Sequence, residues 1–244
     1  MMMFFNSLHV KGRLYSPIYH IYFIGESNSG GYALNSDALA SELDIDPNIK
    51  IWDNINNDGF ENLDIGTNNL LGHTGLSNGT THGWELQLQS KAESLDSPIY
   101  LTKCGQGGSV ISQWDLNGSY YQSFITRATG SKSAITQSNL KTCVVISFGI
   151  NDAIAGTNVN TWYSETLSWI ESVKNETNAD IIVITDLMEN TSEKIAINAQ
   201  IDNLVSALPY LEKSLTAGAT LRDSNHWDYN GMKLICNRIW DIIK

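Results

Sequence analysis

The sequence predicts an α/β fold built on a parallel sheet covered by helices on both faces. Two observations carry this. Strand-like and helix-like segments alternate along the chain. The strand-like segments at 18–24, 142–148 and 180–186 are apolar almost throughout, as strands buried on both faces must be. The composition, 42% apolar and 17% charged over 244 residues, is that of an ordinary globular protein with enough chain for a full core.

The elements read in order as follows. Residues 1–17 lack a clear period and end at Pro17, which reads as an N-terminal extension or a first edge strand. Residues 18–24 form the first core strand and stop at Gly25. From 30 to 81 the chain is rich in Asn, Gly, Asp and Ser, with short strand-like pieces such as 49–52. A segment this long without strong periodicity reads as a functional excursion bordering a pocket. Trp84, Leu88, Ala92 and Leu95 share one helical face, so a helix is expected over 84–95. A second core strand starts at Ile99, and a glycine-rich loop follows over 103–109. A helix around 120–128 leads into a Gly/Ser-rich connection, then the strand 142–148. Trp162, Leu167, Ile170 and Val173 predict a helix over 161–173, followed by a strand at 180–186 and a helix over 193–208 closed by Pro209. Met232, Ile235, Ile239 and Ile242 predict a final helix within 228–243. With neither linker nor internal repeat, one domain spans 1–244.

Charge and composition narrow the partners. A net charge of −11 argues against nucleic acid and against anionic membranes, both of which need a basic footprint. Cys104, Cys143 and Cys236 are too few and too scattered for a disulfide framework or a zinc site; Cys104 and Cys143 read as small core residues. No run approaches the roughly 20 apolar residues of a membrane span. Met1 to Phe5 is apolar but lacks a basic leader, a poor signal peptide, which leaves other export routes open. Oligomeric state is not legible.

In open parallel sheets the ligand site lies beyond the carboxyl ends of the strands. That rule gathers Ser27, the Gly107-Gly108 loop and Asn151 on one edge. A serine hydroxyl is a weak nucleophile, needing a base, an orienting acid and oxyanion donors. Asp223 and His226, three residues apart before the last helix, supply an imidazole and a carboxylate able to reach its Nδ1. The backbone N–H groups of Ser27 and Gly108 and the side-chain amide of Asn151 are candidate oxyanion donors. Asp228 reads as a helix N-cap. Asp152 reads as a loop support. The turn is not Gly-x-Ser-x-Gly, and the serine lies near the N-terminus, unlike an α/β-hydrolase elbow.

These residues resemble the SGNH (GDSL-like) hydrolases, whose Ser, Gly, Asn and His stand in four separated blocks. Ser27 in Gly-Glu-Ser-Asn, Gly108, Asn151 in Gly-Ile-Asn-Asp, and Asp223 with His226 match the blocks in order across nearly the whole chain. Gly-Glu-Ser-Asn is nearer the Gly-Gln-Ser-Asn of the carbohydrate acetylesterase branch, which includes sialate O-acetylesterase-like proteins, than Gly-Asp-Ser-Leu. The segments Gly107-Gly108-Ser109…Trp114 and Gly83-Trp84-Glu85-Leu86 are similar to that branch too, with Glu26 and Trp84 as departures from its Gln and Pro. The resemblance implies a three-layer αβα sandwich of about five parallel strands and serine esterase chemistry without metal or cofactor. Its expected substrate is an acetylated carbohydrate. The alternatives are a lipid, thioester or arylester substrate, or glycan binding without catalysis. Glu26, Asn28, Glu85, Trp114 and Trp227 are the candidate substrate contacts, with core packing as the rival reading for the tryptophans, a first-turn helix role for Glu85, and a solvated charge or a hydrogen bond to loop backbone for Glu26.

Overall fold

The computed structural model describes residues 17–53, 58–70, 72–74, 79–95 and 97–244. The expected extension, apart from Pro17, lies outside these, as does part of the 30–81 excursion. Among the described residues ten strands run in order: β1 Ile18–Gly25, β2 Ala33–Leu34, β3 Asp46–Trp52, β4 Phe60–Leu63, β5 His73–Thr74, β6 Thr81–His82, β7 Ile99–Gln106, β8 Leu140–Ser147, β9 Ile181–Thr185 and β10 Leu211–Ser214. The helices are α1 Ser27–Gly30, α2 Trp84–Ala92, α3 Ser119–Ala134, α4 Ile150–Ala155, α5 Val159–Thr177, α6 Ser192–Ala207 and α7 Tyr229–Ile243.

The main sheet runs β10-β9-β8-β1-β7-β3-β4, and β5 adds to β7. Every pairing is parallel except that of β3 with β4. The first strand is therefore the central one. Its side chains alternate between two cores. Tyr22 and Ile24 face Phe124, Trp162, Trp169, Ile170, Ile197 and Ile201 from α3, α5 and α6. Tyr19, Ile21 and Phe23 face Trp84, Leu88, Met232, Ile235 and Ile239 from α2 and α7. This is the αβα layering that apolar strands demand, because each face of the sheet must be buried against helices. Cys104, Cys143 and Cys236 are free and buried within it. Among the described residues, no helix is long and apolar enough to cross a membrane.

The structure departs from expectation in four places. The main sheet has eight strands rather than about five. The additions are short or lie at its edges, where alternating or mixed residues replace an apolar run, as in Leu-Glu-Lys-Ser of β10. Strand β7 continues through the expected glycine-rich loop to Gln106, because Gly105 pairs with Gly25 on one side and His73 on the other. Helix α3 runs past Gly130 to Ala134, its Ser131 buried, where a connection was expected. Helix α2 ends at Ala92 rather than Leu95.

Gly25 is where the sheet hands over to the site. It pairs with Gly105 and with Ser147, has φ +129°, and a Cβ there would lie 2.1 Å from the Ser147 carbonyl oxygen. Neither the backbone conformation nor the space admits a side chain. Gly25→Ala should therefore cost at least about 3 kcal/mol of stability, measured as a drop in the urea midpoint or loss of a cooperative transition.

Candidate active site

The register sets the first half of the site. Gly25, Gly105 and Ser147 lie side by side on three adjacent strands. Ser27, Gly108 and Asn151 follow them on the same edge of the sheet. Ser27 opens the single turn α1 and is 7% exposed. Gly108 is exposed with φ +75° and open space where a side chain would stand. Asn151 sits in the first turn of α4, after the left-handed Gly149.

The second half arrives on the loop between β10 and α7. His226 Nε2 lies 3.0 Å from Ser27 Oγ. Its Nδ1 lies 2.8 Å from Asp223 Oδ2 and 3.0 Å from Oδ1. The Asp223 carboxylate also accepts from the backbone N–H groups of Asn225 and His226. Burial alone would raise this carboxyl, but the hydrogen bonds from His226 and the two amides outweigh it and hold the group below its ordinary value. It therefore stays ionised opposite Nδ1, which fixes Nε2 as the nitrogen facing the serine. Tyr32 stacks on the imidazole at 4.0 Å and 27°, and the Arg222 guanidinium lies over the Tyr32 ring at 4.8 Å from its centre. Neither residue carried a signal in the sequence. Asp228 caps α7 through Gly231 N–H, as expected.

Side chains beside Ser27 bind these loops together. Asn28 donates from Nδ2 to the Asn225 carbonyl and accepts at Oδ1 from Trp227 N–H, gripping the backbone on either side of His226. Lys194, 3% exposed on α6, donates to the Ser224 carbonyl and to Asn225 Oδ1 from behind. Glu26 accepts from Ile150 N–H at 3.1 Å, from Asn151 N–H at 3.2 Å and from Asn151 Nδ2 at 2.7 Å. Asp152 accepts Ile111 N–H with both oxygens and Thr157 Oγ1 with one, tying the segment after Gly108 to α4. It serves the loop, as the sequence indicated. A cleft of about 780 Å³ opens beside this edge between α4, the start of α6 and the His226 loop, with Asn190, Glu193, Lys194 and Asn225 in its lining.

The five expected substrate contacts are corrected by burial. Glu26, Asn28 and Glu85 are 0% exposed, Trp114 2% and Trp227 1%, so none presents a surface to a sugar. Glu26 and Asn28 hold neighbouring loops. Trp114 donates from Nε1 to Ser109 Oγ within the core. Trp227 packs with α7 residues in the other core. Glu85 pairs with Lys103 Nζ at 2.8 Å, both fully buried, and accepts from Gly83 N–H and Asn69 Nδ2. Lys103 also donates to the carbonyls of Asn69 and of Gly30, the last residue of the serine turn. A lysine inside an apolar strand was the signal for this centre.

Comparison with known proteins follows this geometry. The model of a family described as carbohydrate esterase, sialic acid-specific acetylesterase (SASA), matches residues 19–242. No curated protein sequence matches the chain significantly. Among solved structures, a protein of Arabidopsis thaliana superposes with a TM-score of 0.75 at 15% identity, covering 93% of this chain and 98% of its own. A carbohydrate esterase family 2 enzyme with its carbohydrate binding domain, from Corynascus thermopiles (Myceliophthora fergusii), gives 0.54 at 11% identity, covering 93% and 66%. A member of the lipolytic G-D-S-L family from Veillonella parvula gives 0.52 at 12%, covering 92% and 97%. What these structures share with the chain is the fold, a mostly parallel sheet between helical layers.

The ion pair beneath the serine turn yields a stability test. Removing one partner of a buried pair strands the other charge and typically costs 3–5 kcal/mol. Lys103→Met should therefore destabilise by about that amount in urea unfolding, and Lys103→Met/Glu85→Gln should recover part of the loss.

Proposed function

The chain belongs to the sialic acid-specific acetylesterase family of carbohydrate esterases and is a carboxylic ester hydrolase; within that class, we propose that it removes O-acetyl groups from a carbohydrate with Ser27 as nucleophile. The single observation that supports this most is the continuous hydrogen-bonded chain from Ser27 Oγ through His226 to Asp223. A hydroxyl this close to a neutral imidazole nitrogen can pass its proton as it attacks, and the carboxylate opposite stabilises the imidazolium formed.

The steps follow from the donors and acceptors present. Ser27 Oγ adds to the acetyl carbonyl while His226 Nε2 takes its proton. The carbonyl oxygen becomes an oxyanion and meets the N–H groups of Ser27 and Gly108 and the Asn151 amide. Asn151 Nδ2 carries two hydrogens, of which one is engaged by Glu26, so the second is left for the oxyanion. The tetrahedral adduct collapses, the C–O bond to the sugar breaks, and His226 returns its proton to the departing sugar hydroxyl. Water then adds to the acetyl-serine with His226 again as base, releasing acetate and restoring the serine. Asn190, Thr191, Glu193 and Asn225 in the lining of the adjoining cleft are partners available to the hydroxyls of a leaving sugar.

Acetate release from acetylated sialic acids, acetylated xylan and acetylated bacterial polysaccharides tests this reading. Ser27→Ala should abolish turnover with the urea transition unchanged. Asn151→Ala should lower kcat about 10²–10³-fold, the loss of one oxyanion donor. Near-normal hydrolysis by Ser27→Ala would overturn the assignment, and cleavage of long-chain esters alone would overturn the carbohydrate substrate.

A further inference from the structure

We infer that Glu26 is a positioning residue for Asn151, and that turnover requires Glu26 to be ionised. The inference rests on the reading of Asn151 as an oxyanion donor.

The geometry carries it. Glu26 is anchored in the serine turn by its backbone: its N–H donates to the Ser147 carbonyl, and its carbonyl accepts from Ser29 N–H and Ser29 Oγ. Its side chain crosses to α4, where Ile150 N–H, Asn151 N–H and Asn151 Nδ2 all converge on the two carboxylate oxygens. All three partners are donors. A carboxylate can accept from each, but a carboxylic acid must turn one oxygen into a donor, which would then face an N–H. A proton on Oε2 therefore breaks at least one of the two bonds to Asn151, and a proton on Oε1 breaks the bond to Ile150 N–H that seats the first turn of α4 carrying Asn151. A catalytic donor left loose by a fraction of an ångström loses much of its effect, because its value lies in being preorganised.

The surroundings put this ionisation within the working range. Burial pushes the Glu26 carboxyl up to about 8, even though its hydrogen bonds from Asn151 and Ile150 work against the rise. Asp152, on the same helix α4, raises it further. The Lys194 ammonium on α6 attracts the ionised form. His73 on β5 contributes no charge: burial and the neighbouring Lys103 and Arg127 hold it neutral, well below its ordinary value. A carboxyl with this value is about 3% ionised at pH 6.5 and about 90% at pH 9.

The test is kcat for 4-nitrophenyl acetate across pH 6 to 9.5 in wild type, Glu26→Gln and Asn151→Ala. Glutamine offers Asn151 Nδ2 one oxygen at every pH, so the limb due to Glu26 should vanish. The ratio of wild-type kcat to Glu26→Gln kcat should rise roughly 30-fold between pH 6.5 and pH 9, with KM unaffected. Asn151→Ala should lose the same limb, since nothing remains for Glu26 to hold; this arm does not depend on Glu26→Gln folding. Unfolding supplies a second readout. A carboxyl raised in the folded state stabilises the fold most below its unfolded value and loses that contribution as pH rises through the folded one. Wild type should therefore lose stability relative to Glu26→Gln as pH rises from about 4.5 through about 8. A flat kcat ratio, or the same limb surviving in Asn151→Ala, would overturn the inference. With Ser27→Ala inactive, those results would leave the esterase reading intact; activity in Ser27→Ala would overturn that reading itself.

Discussion

The site depends on the grip of the serine turn on its neighbours. A parallel sheet delivers loops to one edge, but strand register alone does not hold a hydroxyl 3.0 Å from an imidazole 199 residues away. The two residues flanking Ser27 do that work in opposite directions. Asn28 reaches the main chain on either side of His226, and Glu26 reaches the start of α4. Both side chains are fully buried, where a hydrogen bond is stronger than in water and a broken one is costly. The turn is thus a junction, and Ser27 is more open to solvent than the fully buried Glu26, Asn28 and Ser29 around it.

Beneath the junction lies a charged support. Lys103 ties the end of the serine turn to Glu85 and to Asn69, which comes from the polar excursion between β4 and β5. Burying two charges is a poor route to stability by itself. Here the lysine satisfies main-chain carbonyls that a turn so short cannot pair internally. The excursion therefore contributes to the site from below, through its asparagine. Lys194 plays a matching part on the other side, filling the space behind the His226 loop.

The candidate catalytic residues were more legible in the sequence than the scaffolding around them. Ser27, Asp223, His226 and Asn151 stand at strand ends or just before a helix, where local patterns are strong, and the apolar runs of β1, β8 and β9 announce a sheet buried on both faces. What escaped were features fixed by partners far along the chain. Asn28 reads as a substrate contact from the sequence and Glu26 as a substrate contact, a solvated charge or a partner of loop backbone; the fold encloses both and bears out the last of these for Glu26. Trp114 and Trp227 were ambiguous for the same reason, since an indole serves a core and a sugar platform equally well. Strand β10 escaped because four residues of mixed character have no period to detect. Tyr32 and Lys194 act through stacking and through contacts to main-chain carbonyls, which leave no pattern of residue types.

The order of the parts along the chain has a consequence for biosynthesis. The central strand and the serine turn emerge from the ribosome early, yet the carbonyl and amide that Asn28 grips belong to Asn225 and Trp227. At typical translation rates of 5–20 residues per second, roughly 10–40 s separate Ser27 from His226. During that interval the nascent chain has neither His226 beside the Ser27 hydroxyl nor a clamp for its turn. With Ser27 and His226 in the roles proposed, hydrolytic competence arrives only after the last β–α loop has been made and docked.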